Sequence, residues 1–191
     1  MRKTVSKSNL APKPLRADLE LMESGHDYFY SRSVRQYDEA LKINSGKIIS
    51  DLSKRYRPVR ILDVGCGAGY YPFHLETDFA GSVIGYGISA TGFPHELRNY
   101  HVGDAKKMPY EDNFFHHIVG LDVLEFDEHP EKILKEVIRV LAPGCSAHLS
   151  LARGRGDRFW TEHKQELRDM APIYYNDGII RIHKLEKTQH L

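Results

Sequence analysis

The stretch R-I-L-D-V-G-C-G-A-G-Y, residues 60–70, decides the fold. Ile61, Leu62 and Val64 are apolar and partly branched, as in a strand covered on both faces. Gly65, Gly67 and Gly69 follow at every second position. Without a Cβ the chain can turn sharply there and bring its backbone close to a ligand. A helix starting near Gly69 aims its free N–H groups into the same turn. The stretch therefore predicts a ligand site at the carboxyl end of a buried strand.

Strand and helix patterns alternate outward from it. Asn44–Tyr56 reads as a helix ended by Pro58, and Tyr70–Thr77 as another, with Pro72 tolerable in its first turn. Strands are expected at 82–89, 100–102, 115–123 and 146–151, with an amphipathic helix over Glu131–Leu141 stopped by Pro143-Gly144. A helix over Asp157–Met170 precedes two strands joined at Asn176-Asp177-Gly178, a hairpin signal. The expected fold is α/β: a doubly wound, mostly parallel seven-stranded sheet with helices on both faces and a C-terminal antiparallel hairpin. Residues 1–43 are expected to form an N-terminal tail and helical cap, and 44–191 the ligand-binding domain. Tyr28, Phe29, Tyr30 and Tyr37 form a lid over the site or pack against the sheet edge.

Composition bounds the function. The chain has 191 residues, 41% hydrophobic and 28% charged, enough for one domain with a real core. Its 27 basic and 26 acidic residues leave a formal net charge of +1, so no global field favours nucleic acid or an anionic membrane. No apolar run approaches a membrane span, and the basic start lacks the apolar segment of a secretory signal. Two cysteines, Cys66 and Cys145, fit a reduced, cytoplasmic setting. No metal is expected.

Three ligand classes compete for the glycine turn. A phosphate loop needs Gly-Lys-Ser/Thr, which is absent. A dinucleotide turn prefers a third glycine where Tyr70 stands. The pattern here is G-x-G-x-G, with Asp63 two residues before the first glycine.

That pattern, in V-R-I-L-D-V-G-C-G-A-G, resembles the first motif of class I S-adenosylmethionine-dependent methyltransferases. G-D-A-K-K-M-P-Y-E-D-N-F-F at 103–115, L-D-V-L-E-F at 121–126 and L-K-E-V-I-R-V-L-A-P-G at 134–144 resemble later segments of that family, in order. The resemblance implies S-adenosylmethionine as cofactor. It implies that Asp63 orients the ammonium end and that the backbone of Gly65, Cys66, Gly67 and Gly69 lies against methionine and ribose. It further implies that Asp104 accepts from the adenine amino group, Ala105 donates to a ring nitrogen, Ile88 meets the adenine face, and Asp122 and Val123 line the crevice.

One departure stands out. The family ends its second strand with an acid that holds both ribose hydroxyls, and here Gly87 takes its place. Charge-assisted hydrogen bonds of that kind contribute about 1.5–3 kcal/mol each. Two readings follow: a methyltransferase acting on a small molecule by in-line transfer, or a degenerate module of the same fold that binds without turnover. Positioning supplies much of the rate of such a transfer, and a base is needed only if the acceptor loses a proton. His129, after the fourth strand, is the candidate base. His116, His117 and His148 read as structural, and Arg153–Arg158 either as a solvated loop or as one able to hold an anionic substrate. The connector to the hairpin is short, which favours a small acceptor over nucleic acid.

Overall fold

In a computed structural model, residues 34–92, 97–151 and 156–186 are described. The expected tail over residues 1–14, the aromatics Tyr28–Tyr30 and Arg153 and Arg155 lie outside them.

Helices α1 (Val34–Leu41) and α2 (Ser45–Leu52) precede strand β1 (Val59–Val64). Asn44 caps α2, its side chain accepting from the Lys47 N–H at 2.8 Å. Helix α3 (Tyr70–Asp78), strands β2 (Val83–Ser89), β3 (Asn99–Val102) and β4 (Phe115–Gly120) follow. A 3₁₀ turn (Leu124–Phe126), helix α4 (Pro130–Val140), strand β5 (Leu141–Ser150), helix α5 (Gly156–Met170) and strands β6 (Ile173–Asn176) and β7 (Ile179–His183) complete the chain.

All seven strands form one sheet, in the order β3-β2-β1-β4-β5-β7-β6. Pairs β3-β2, β2-β1, β1-β4 and β4-β5 are parallel, and β7 runs antiparallel to both β5 and β6. The turn between β6 and β7 places Asp177 and Gly178 at φ 53° and 75°, the two left-handed positions of the favoured two-residue hairpin.

Strand alternation splits the core in two. Leu62, Val64, Ile118, Leu149 and Ile182 pack with Leu134 and Val137 of α4 and Leu167 of α5. Ile61 and Val119 face the other way, onto Tyr37 and Leu41 of α1, Ile49 of α2 and Tyr71 and Leu75 of α3. Because β1 is central and covered on both sides, its apolar run is almost unbroken.

Several boundaries differ from the expectation. Strand β5 begins at Leu141, directly after α4, and runs through Pro143-Gly144. Gly144 sits at φ 73°, and the β4–β5 register shifts between Phe115 and His117, so a bulge absorbs the dipeptide that was read as a stop. Strand β4 ends at Gly120 rather than 123, because Asp122 turns the chain at φ 52°. The β2–β3 crossover spans only residues 90–98, shorter than the roughly dozen residues that parallel strands usually take.

Candidate functional site

The site lies where β1, β2, β3 and β4 end. Gly65, Gly67 and Gly69 adopt φ of 72°, 52° and 75°, which side chains bearing a Cβ seldom adopt. The Gly65 and Cys66 N–H groups both donate to the Ile88 carbonyl, at 2.8 and 3.1 Å, tying the turn to β2. Gly69 caps α3, and its carbonyl accepts from the Phe73 N–H at 3.2 Å.

The loop after β4 closes on this turn, and the loop after β3 is tied to it through Lys106 and Asp127. A Cβ on Gly65 would lie 2.6 Å from Val123 Cγ2, so Val123 packs directly on the first glycine. The Asp122 N–H donates to Ser150 Oγ at 2.7 Å, and that hydroxyl donates to Asp122 Oδ1 at 3.2 Å, which fixes the turn against β5. Asp104 is exposed, and its Oδ1 accepts the Lys106 N–H at 2.8 Å. The Lys106 ammonium lies 3.4 Å from Asp104 and pairs with Asp127 beyond the 3₁₀ turn. The Asp127 bond is the main cause of the raised Lys106 pKa. Ala105 is half-buried against the core. Ile88 is buried, so its carbonyl rather than an open side chain meets the turn.

Asp63 is 1% exposed and lies beneath the turn. Its Oδ1 accepts the Tyr37 hydroxyl proton at 2.8 Å. Tyr37 stacks on Tyr71 with centroids 4.2 Å apart, and the Tyr71 hydroxyl lies 2.6 Å from Ser45 Oγ. Ser45 in turn bonds Asp38 through its N–H at 3.0 Å and through its hydroxyl. Of the four aromatics considered as a lid, Tyr37 is thus a buried support of β1.

Gly87 pairs with Asp63 on one side and with Tyr100 on the other. A Cβ there would stand 2.6 Å from Cys66 Sγ and 3.0 Å from Leu97 Cδ2. The thiol therefore fills the space that a β2 side chain would need. Burial pushes the Cys66 pKa upward, so it stays a neutral thiol. The Tyr100 hydroxyl reaches across to the Gly67 carbonyl at 2.6 Å and the Thr91 carbonyl at 3.0 Å. Sequence reasoning singled out Tyr37 without its bond to Asp63, and missed Ser150 and Tyr100, because each acts on a partner far along the chain or on another strand.

The histidines fall into two groups, three packed in the sheet and His129 at the surface. His116 stacks on Tyr56 at 3.8 Å and its Nδ1 accepts the Arg60 N–H at 3.0 Å, replacing a ladder bond at the bulge. Burial, then Arg60, lowers its pKa to about 4. His117 is fully buried, its Nδ1 lies 3.0 Å from the Ser146 carbonyl, and burial lowers its pKa to about 4. His148 falls to about 3 through burial and the neighbouring His117 and Arg181. His129 is exposed at the start of α4, and its N–H donates to Asp127 Oδ1 at 2.7 Å. Among the described residues no group of three or more His, Cys, Asp or Glu is placed to hold a metal, and no helix is long and apolar enough to cross a membrane.

A twisted sheet of this order, with a glycine turn after its first strand and acids after its third and fourth, defines a Rossmann-like α/β domain that binds a ligand at the carboxyl ends of its strands. Residues 62–149 match the family model described as a methyltransferase domain. Members of this family use S-adenosylmethionine. The chain is 32% identical over 131 residues to norajmaline N-methyltransferase of Rauvolfia serpentina, covering 59% of this chain and 41% of that protein. It is 26% identical over 140 residues to the chloroplastic tocopherol O-methyltransferase of Arabidopsis thaliana, covering 67% and 38%. The matched segment thus spans about two fifths of these relatives' lengths. In fold it matches a TehB-like S-adenosylmethionine-dependent methyltransferase from Corynebacterium glutamicum, with TM-score 0.54, 21% identity, and 88% and 94% of the two chains covered.

The residues present fit that cofactor at two of three points. The turn carries no side chain of its own at Gly65, Gly67 and Gly69, and Asp104 offers an exposed carboxylate at the β3 end. At the β2 end Gly87 supplies no side chain at all.

Proposed function

We propose that this domain transfers a methyl group from S-adenosylmethionine to a small-molecule acceptor. The observation that carries the reading is the packing of Val123, from the loop after β4, directly onto the glycine turn after β1, with Asp104 following β3 at the same end of the sheet. Bound there, the cofactor supplies an electrophilic methyl carbon on a sulfonium. Asp104 accepts from the adenine amino group, and the Ala105 N–H donates to the ring. The Gly65–Gly67 backbone lies along the methionine and ribose. Asp63, held by Tyr37, sets the charge beneath the ammonium end. Asp122 and Val123 border the place of transfer.

Phe126 is 55% exposed in the 3₁₀ turn that follows Asp122 and Val123. An acceptor docked there is held by shape and apolar contact, and positioning accounts for much of the rate. His129 is the candidate base for acceptors that lose a proton. The names of the two curated relatives, a norajmaline N-methyltransferase and a tocopherol O-methyltransferase, support a small acceptor. A net charge of +1 gives no global field that would favour nucleic acid, and a cytoplasmic, small-molecule role is the consistent reading.

A second reading, binding without turnover, draws on Gly87, whose place is closed by Cys66. Calorimetric titration with S-adenosylmethionine tests the first step. Absence of binding at millimolar ligand would overturn the methyltransferase reading. Binding without S-adenosylhomocysteine formation across a panel of amine and phenol acceptors would favour the second.

A further inference from the structure

Sheet order sets the layout of any nucleoside in this crevice. Asp104 follows β3 and the glycine turn follows β1, and β2 lies between them. A ligand spanning from Asp104 to the turn therefore crosses the end of β2. The residue there is Gly87, and the packing of Cys66 and Leu97 denies it a side chain.

The polar group at this point comes from the next strand. Tyr100 pairs with Gly87 in the parallel β2–β3 ladder, so the two share a sheet face. Its ring passes within 3.5 Å of where a Gly69 Cβ would lie. Its hydroxyl stands between the Gly67 and Thr91 carbonyls, at 2.6 and 3.0 Å. One phenolic proton cannot satisfy two carbonyls fully, while the phenolic oxygen keeps acceptor capacity. With the proton on the nearer Gly67 carbonyl, the Tyr100 oxygen and the Thr91 carbonyl form a pair of neutral acceptors. A vicinal diol presents two matching O–H donors.

We infer that Tyr100, with the Thr91 carbonyl, receives the ribose hydroxyls of the nucleoside in place of a carboxylate on β2. The inference rests on the cofactor reading above and adds a ribose-selective residue to it. The acceptors are neutral, so each bond contributes less than a charge-assisted one, and removing one costs about two- to tenfold in affinity.

The test is calorimetric titration of wild type and Tyr100→Phe with S-adenosylhomocysteine and with its 2′-deoxy and 3′-deoxy analogues. Wild type is expected to prefer the ribose ligand over at least one deoxy analogue by about two- to tenfold. Tyr100→Phe is expected to lose that preference while binding the deoxy analogue as wild type does. Equal weakening of all three ligands would reduce Tyr100 to a support of the turn and overturn the inference. So would retained discrimination in the variant, or tighter binding by it. Wild type lacking any ribose preference overturns it without recourse to a variant. If wild type binds none of the three, the cofactor reading itself fails, a distinct outcome.

Discussion

Tyr37 of α1 donates its hydroxyl proton to Asp63 of β1 at 2.8 Å, across 26 positions of sequence, and both are buried. The bond couples the helix before the sheet to the strand that carries the glycine turn. Ser45 and Tyr71 extend it, so α1, α2 and α3 meet in one polar network inside an apolar layer. Such networks are costly to break in part, because the remaining groups stay buried.

Replacing Tyr37 by phenylalanine keeps the ring on Tyr71 and removes one donor from Asp63. The expected loss is about 1–3 kcal/mol, read as a lower midpoint in urea denaturation. In a domain of this size that is a drop of roughly 2–12 °C in melting temperature. An unchanged midpoint would show that the bond contributes nothing net.

Gly87→Ala places a methyl where Cys66 Sγ stands. The variant is expected to lose about 1–3 kcal/mol through overpacking. Cys66→Ala removes the sulfur, so the double variant should recover part of that loss. A double-mutant cycle measures the coupling, expected at about 1 kcal/mol. Strict additivity would contradict the contact.

Asp104 is exposed, and its carboxylate bonds locally to Lys106. Asp104→Ala is expected to cost about 1 kcal/mol or less in stability. Affinity for S-adenosylmethionine, measured by calorimetry, should fall about tenfold, as for one charge-assisted bond. A loss confined to stability would remove Asp104 from the cofactor site.

The buried histidines make stability depend on pH. His116 and His117 are held near 4 and His148 near 3, while an unfolded histidine titrates near 6.5. Between these values the unfolded chain binds more protons than the folded one, so stability rises with pH there. The contribution is intact above about pH 6.5 and is lost as pH falls toward 4. For fully buried His117 the loss by pH 5 is about 2 kcal/mol. Urea midpoints at pH 7 and pH 5 should therefore differ more for wild type than for His117→Asn. Equal pH dependence would place the titration elsewhere.

Legibility differed between elements for physical reasons. The turn at Asn176-Asp177-Gly178 was readable because left-handed backbone is a local demand on two adjacent residues. Pro143-Gly144 misled, because a dipeptide that ends a helix can equally form a bulge, and the pairing with β4 decides which. Tyr37 stood out as part of an aromatic cluster, but neither its bond to Asp63 nor the contacts of Tyr100 left a local signal. Each tyrosine is one aromatic among several, and its role depends on a partner on another element.

By itself, then, the sequence determined the parallel sheet, its closing hairpin and the glycine turn after β1. These follow from apolar periodicity and from backbone conformations that only certain residues tolerate. It also marked Gly87 as a missing acid. Only the tertiary structure decided what fills that place, because the answer depends on atoms brought together from three directions. Cys66 from the turn and Leu97 from the β2–β3 crossover take the volume, and Tyr100 from β3 brings the hydroxyl beside it.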